Sequence, residues 1–432
     1  MDRHSRLHSN DVSSVPDAPA LNVRTVALTA GIGPLLEYLP RATPTAWVRD
    51  GEGLVAWGEA ARITPPADTR LHDARRFERA TRELTTLFST ATVEDQVGVP
   101  GTGMVAFGSF TFDPRSPGSV LIVPRVVLGQ RAGRTWLTTI SEHPDDWPGP
   151  PVPSSGDRRP TGPLTWEEGR LSAREWAARV GTAVERIRAG ELDKVVLARD
   201  LSASAEGDID VRPLLERLSR DYPSCYTFSV DGMVGATPEL LLQREGDRVS
   251  SLVLAGTRPR GAEDGEDARL AAELTNSAKD TEEHRYAVDS LRSTLAPLSS
   301  TIDIPPRPQL LQLANVQHLA SPVGATLEPG VATLDVVAAM HPTAAVGGTP
   351  SITAMETIRE LEGMDRGRYA GPVGWIDHQG NGEWGIALRC AMVRGSQARL
   401  FAGCGIVAAS DPTAEVAETE PKFRVMRAAL AN

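Results

Sequence analysis

The densest group of reactive side chains in this 432-residue chain lies near its C-terminus. Asp411 and Pro412 suit an N-cap and the first residue of a helix, and Glu415, Glu418 and Lys422 follow at steps of three and four along one helical face. Such a face has two readings. One is a solvated surface with a Glu-to-Lys pair worth roughly a few tenths of a kcal/mol. The other is an acidic cluster for a hard divalent cation, set beside the backbone amides of Gly403-Cys404-Gly405, which can meet an anion. Spacing alone favours the surface.

Other candidates are scattered. Lys194 opens an apolar run in which Val195, Leu197 and Leu201 share one face and Lys194 shares the other with Val196 and Ala198. A lysine there is an edge guard or, with a lowered pKa, a base. Glu239 begins the run Leu240-Leu241-Leu242, either at the sheet surface or partly buried as a general acid requires. Gly256-Thr257 offers an amide and a hydroxyl to an anion. Glu283 lies three residues after Asp280, and a capping arrangement with Asp280 as N-cap accounts for both without chemistry. His341 precedes Pro342 where a helix-end residue is ordinary, and Arg389 shares a strand face with Ala387 and Gly385, leaving room for a carboxylate.

The elements that must position these groups are legible from periodicity. Ser172 with Glu175 reads as a capping box opening a helix that carries Trp176, Val180, Ala183, Val184 and Ile187 and stops at Gly190. Residues 73–87, 211–220, 333–340 and 352–361 have helical spacing, and 267–295 reads as two helical pieces. Strands are expected at 45–48, 53–58, 103–110, 120–124, 136–140 and 315–319, with successive antiparallel strands over 225–257 and a hairpin turning at Gly380-Asn381-Gly382. Residues 1–20 read as a disordered tail, 21–140 as a strand-rich half, 141–163 as a Pro/Gly-rich connection and 164–432 as the region holding every candidate group.

A net charge of −11 speaks against nucleic acid or an anionic membrane as partner, and no apolar run reaches the length of a span. The N-terminal stretch has no signal-like apolar core, and three cysteines at 225, 390 and 404 are too few for a disulfide framework. A cytoplasmic protein is expected, and nothing requires more than a monomer.

The order of these pieces resembles the chorismate-binding enzymes, most closely the isochorismate synthases. The resemblance is carried by Leu192-Asp193-Lys194-Val195-Val196-Leu197-Ala198-Arg199, Ala236-Thr237-Pro238-Glu239-Leu240-Leu241, Leu254-Ala255-Gly256-Thr257-Arg258 and residues 277–284. It continues through His341-Pro342-Thr343, Tyr369-Ala370-Gly371-Pro372-Val373-Gly374-Trp375, Ile386-Ala387-Leu388-Arg389-Cys390 and the C-terminal stretch to Lys422. It implies an α+β fold of the aminodeoxychorismate-synthase type, two intertwined subdomains whose large sheets pack face to face with helices outside. By the same resemblance Glu283 and Glu418 bind Mg²⁺, with Glu415 and Glu282 as further or water-mediated partners. Thr257, Gly256, Tyr369, Arg389 and the amides of Gly403 and Gly405 hold carboxylates, Lys422 supports the acidic helix, and His341 lines the site near the ring.

Three positions choose among the family's reactions. The isochorismate-forming members resemble this chain in carrying a lysine at 194 as the base that activates water to attack C2, with Glu239 as the acid for the departing C4 hydroxyl. Aminodeoxychorismate synthases place a nucleophilic lysine where this chain has Ala255, and aminating and salicylate-forming members more often have a lysine where Ser351 stands. The implied reaction is Mg²⁺-dependent conversion of chorismate to isochorismate; a salicylate synthase is the main alternative and anthranilate-type amination a lesser one. Whether the product goes to menaquinone or to a siderophore is a property of neighbouring enzymes. Cys404, where alanine is common, is a departure from the pattern.

Overall fold

The computed structural model describes residues 20–29, 31–70, 73–144, 152–154, 158, 161–261, 263–312 and 316–431, without the side chains of Thr257, Pro259, Asp264, Lys279, Glu283 and Val316. The expected tail lies almost wholly outside the described residues, as does Asn315. Among the described residues the strands form two sheets, one of 13 strands and one of 10.

In the larger sheet Lys194–Ser204 lies antiparallel to Gln397–Ile406, which is followed by Cys390–Arg394, Met233–Thr237, Tyr226–Val230 and Thr45–Arg49. The smaller sheet runs from Val316–Leu327 through Arg248–Pro259, Leu240–Glu245, Gly382–Ile386 and Pro372–Asp377 to Val105–Ser109. Strands before residue 142 enter both sheets, so the two halves of the chain interleave. This is the expected α+β architecture.

Long apolar runs become central strands because both of their faces are covered. The main core draws Trp47 and Leu54 from the larger sheet and Phe107, Leu242 and Trp384 from the smaller, which places it between the layers. Trp47 Nε1 donates across it to Glu383 Oε2 at 2.7 Å. A second core lies on the outer face of the larger sheet, where Leu201, Val234 and Leu400 meet Leu214 and Leu218 of the helix Val211–Asp221 and Phe423 and Met426 of the helix Pro412–Leu430. Ser172 and Glu175 form the expected capping box at the start of Ala173–Arg188, and Gly190 takes φ 80° just past its end.

Two expectations need correction. Ser277, rather than Asp280, caps the helix Ala278–Leu295, accepting from the Asp280 amide at 3.1 Å, while Asp280 is buried and paired with Arg258 at 2.9 Å. A hydroxyl one residue before a helix satisfies the orphan amide equally well, and the ion pair to a neighbouring strand is invisible in local sequence. Arg389 lies in no strand: the strand ends at Ile386, and Arg389 has φ 47°. Strands at Asn22–Ala27, Thr92–Asp95 and Val126–Arg131 were not legible beforehand. No helix among the described residues is long and apolar enough to cross a membrane.

Candidate active site

The site is built on the pairing of Lys194–Ser204 with Gln397–Ile406, in which Val196 faces Gly405 and Ala198 faces Gly403. The Val196 amide donates to Gly347 O at 2.8 Å and the Ala198 amide to Glu362 Oε1 at 2.7 Å, both away from the glycine strand. These are therefore the non-hydrogen-bonded pairs of the ladder, and the Gly403 and Gly405 amides point to the opposite edge. The neighbour on that edge, Cys390–Arg394, pairs only as far as Ala391 with Leu400, so both amides are open.

The glycines also clear space on their inner face. A Cβ on Gly403 would lie 3.3 Å from the Tyr369 hydroxyl, and one on Gly405 would lie 2.9 Å from Lys194 Cε. Lys194 and Tyr369 thus share one face of this strand pair, while Cys404 points to the other. The Lys194 ammonium has no hydrogen bond or ion pair among the described residues. Tyr369 is buried and stacked on Phe401 at 4.9 Å, and burial pushes its hydroxyl pKa above the usual phenol range.

Glu239 and Arg389 arrive by a route that alternation does not reveal. Between Met233–Thr237 and Leu240–Glu245 the chain passes from the larger sheet to the smaller, and between Gly382–Ile386 and Cys390–Arg394 it passes back. The two crossings lie side by side: the Ile386 amide donates to Glu239 O at 3.1 Å, and the Ala236 amide donates to Arg389 O at 3.2 Å. Thr237 Oγ1 fixes the bend, donating to Ile386 O at 2.6 Å and accepting from the Glu239 amide at 3.2 Å. Desolvation pushes the Glu239 carboxyl up to about 7, against the opposing pull of Lys194 and Arg389. The Arg389 guanidinium has no protein partner among the described residues and remains available to an anion.

His341 is buried, and its Nε2 lies 3.0 Å from Ala370 O, so that nitrogen carries the proton and donates. Burial lowers its pKa to about 3, and Nδ1, buried without a partner, keeps a bare lone pair. Below it runs a buried pair that sequence reasoning missed. Arg366 binds Glu362 at 2.6 Å and also donates to Val196 O at 2.7 Å and Val346 O at 2.9 Å. Its guanidinium lies 5.9 Å from the centre of the Tyr369 ring. One side chain therefore ties together the lysine strand, the segment after His341 and the tyrosine. The four-residue spacing of Glu362 and Arg366 was the available signal, but it also describes any surface helix pair.

On the far face of the glycine strand, Asp411 caps the helix Pro412–Leu430 by accepting from the Thr413 and Ala414 amides. Lys422 Nζ donates to Gly403 O at 2.7 Å and to Glu418 Oε1 at 2.6 Å, which locks the helix to the strand. Ligand atoms of Cys404, Glu415 and Glu418 lie within 4.8 Å of one another, and Glu415 Oε2 is buried with no hydrogen-bond partner. An orphaned buried carboxylate oxygen beside a second carboxylate suits a hard divalent cation. Glu283 lies in the helix Ala278–Leu295, but its side chain, like that of Thr257, is outside the described set. That helix is docked by His284, whose ring nitrogens lie 3.1 Å from Ala255 O and 2.8 Å from Ser321 Oγ. Gly256 forms a bulge in Arg248–Pro259 with φ 77°, which a side chain would strain. Glu282 is exposed and 3.9 Å from Arg285.

The family model described as chorismate binding enzyme matches residues 154–431, which include every one of these side chains. The chain belongs to the chorismate-binding enzyme family. A salicylate biosynthesis isochorismate synthase of Pseudomonas aeruginosa is 36% identical over 420 residues, covering 90% of this chain and 85% of that protein. The isochorismate synthase MenF of Bacillus subtilis is 40% identical over 264 residues, 60% of this chain and 56% of its own length. Among solved structures, MenF, the menaquinone-specific isochorismate synthase of Escherichia coli, superimposes with a TM-score of 0.74 at 26% identity, covering 97% of this chain and 96% of that one. This member of the chorismate-binding family therefore has isochorismate synthases among its relatives, and its fold is theirs.

Proposed function

We propose that the chain is an isochorismate synthase that converts chorismate to isochorismate with Mg²⁺. The observation that carries the reading is Glu239: a carboxyl pushed up to about 7 by desolvation, with Lys194 and Arg389 as its two cationic neighbours. An acid with that pKa retains its proton near neutrality and can release it. To act as the base Lys194 must first give up its own proton: the free amine then takes a proton from the water that bonds to ring C2, the ring double bond shifts, and the C4 hydroxyl, protonated by Glu239, leaves as water. One water enters and one leaves, so substrate and product are isomers.

Arg389 and the open amides of Gly403 and Gly405 hold substrate carboxylate, while Tyr369 and His341 lie toward the ring. Glu283, Glu415 and Glu418 would hold Mg²⁺, which when bound neutralises a ring carboxylate. Residues 164–432 supply this chemistry, and residues 21–140 complete the sheets around it. The three cysteines are unpaired, as a reducing compartment such as the cytoplasm requires, and we take the working unit to be a monomer.

A salicylate synthase would share base, acid and metal and then expel pyruvate. Incubation with chorismate and Mg²⁺, followed by product separation, tests the choice. Isochorismate alone is expected; salicylate fluorescence together with pyruvate release overturns it, and an amino product formed with ammonia would point to amination.

A further inference from the structure

We infer that a cleft between the helices Arg75–Thr90, Thr333–Met340 and Ser351–Glu362 binds a small neutral hydroxyaryl compound, its hydroxyl set between Arg76 and His341. The cleft encloses roughly 180 Å³ and is lined by none of Lys194, Glu239, Arg389 or the Gly403 and Gly405 amides. Phe77, Phe112, Ile352 and Met355 supply apolar walls. Two buried polar side chains stand among them, each with one unmet atom among the described residues. Arg76 is 3% exposed and its Nε has no partner; His341 is 8% exposed and its Nδ1 has none. Unpaired buried polar atoms are costly, and two of opposite kind in one cleft mark a place for a group that serves both.

The polarity of the two atoms fixes the functional group. Arg76 Nε carries a hydrogen and donates, whereas His341 has its proton on Nε2, bonded to Ala370 O at 3.0 Å, so Nδ1 accepts. A hydroxyl accepts from the first and donates to the second with a single oxygen. Charge disfavours an acid, because Arg76 is already paired with Asp68 at 3.1 Å and Asp73 stands on the same wall. The space fixes the size. An apolar cavity of about 150 Å³ holds one benzene ring, whereas a water occupies about 30 Å³, so a water bridging the two atoms leaves most of the cleft unfilled. Phe112 meets His341 edge-on with ring centres 5.7 Å apart, which gives the cleft an aromatic wall beside the unmet nitrogen.

Phenol, titrated into the full-length protein and followed by calorimetry, tests the site. Saturation at one equivalent is expected. Toluene, with a methyl in place of the hydroxyl, is expected to bind about tenfold or more weakly, because the two polar atoms then stay unmet. Ala338→Phe fills the cleft from the helix Thr333–Met340 and Ile352→Trp closes it from an exposed position, and each abolishes the phenol heat. Circular dichroism of each variant checks folding. Arg389→Met keeps the heat, since the reaction cavity lies elsewhere. No saturable heat in the wild type, which leaves a bridging water only, overturns the site. So do equal affinity for toluene, an undiminished curve in a folded filling variant, and loss of binding in Arg389→Met. No chorismate is present, so the result is independent of whether it is turned over.

Discussion

Glu239 and Arg389 stand at neighbouring crossings where two antiparallel segments pass between the sheets, joined by hydrogen bonds from the Ile386 amide to Glu239 O and from the Ala236 amide to Arg389 O. Because Arg389 is one of the two cations that pull the Glu239 pKa down from its desolvated value, the pair sets the pH at which the acid works. Glu239 must be protonated to act, so kcat/KM is expected to fall as pH rises through about 7. Arg389→Met removes a lowering influence and should move that limb to higher pH. Glu239→Gln should reduce kcat about 10²–10⁴-fold and abolish the limb. A limb that persists unmoved in Glu239→Gln would assign it to another group.

The same shift has a stability consequence of defined sign. A carboxyl whose pKa is raised in the fold favours folding at low pH and loses that contribution as pH rises from the ordinary carboxyl range to about 7. Denaturant titrations of wild type and Glu239→Gln across this window should converge at low pH and diverge at neutral pH, the variant becoming the more stable.

Gly405→Ala tests the placement of the base. The new methyl would sit 2.9 Å from Lys194 Cε and 3.6 Å from Nζ, and a flexible lysine tip can yield without unfolding the strand. The thermal midpoint should change little while kcat falls by up to about 10²-fold, the scale expected for an ångström of misplacement. Equal turnover in the two proteins would remove Lys194 from the reaction.

Glu362→Ala strands a buried guanidinium that also holds Val196 and Val346. A loss of about 3–5 kcal/mol in unfolding free energy is expected, and the apolar double variant Glu362→Leu with Arg366→Met should recover much of it. Urea denaturation measures both; a single variant as stable as wild type would show that the pair carries no structural load.

Glu418→Ala is expected to abolish the dependence of turnover on added Mg²⁺ along with turnover itself, and to weaken Mg²⁺ binding measured by calorimetry. Chelator-sensitive turnover at the wild-type rate would return the helix Pro412–Leu430 to a salt-bridged surface, which its Glu418–Lys422 contact alone also satisfies.

The sequence by itself determined the helices with clear caps, such as Ala173–Arg188 and Pro412–Leu430, because capping chemistry and apolar spacing act over a few residues. It also determined which face of Lys194–Ser204 carries the lysine, since alternation is a local property. Tertiary structure alone decided that Gly403 and Gly405 present open amides, because this depends on where a neighbouring strand stops pairing. It alone moved Arg389 out of a strand and into a left-handed turn beside Glu239, because a crossing between sheets is made by partners far along the chain. The raised pKa of Glu239 belongs to the same class: desolvation is supplied by the layers around a carboxyl, and no stretch of its own sequence contains them.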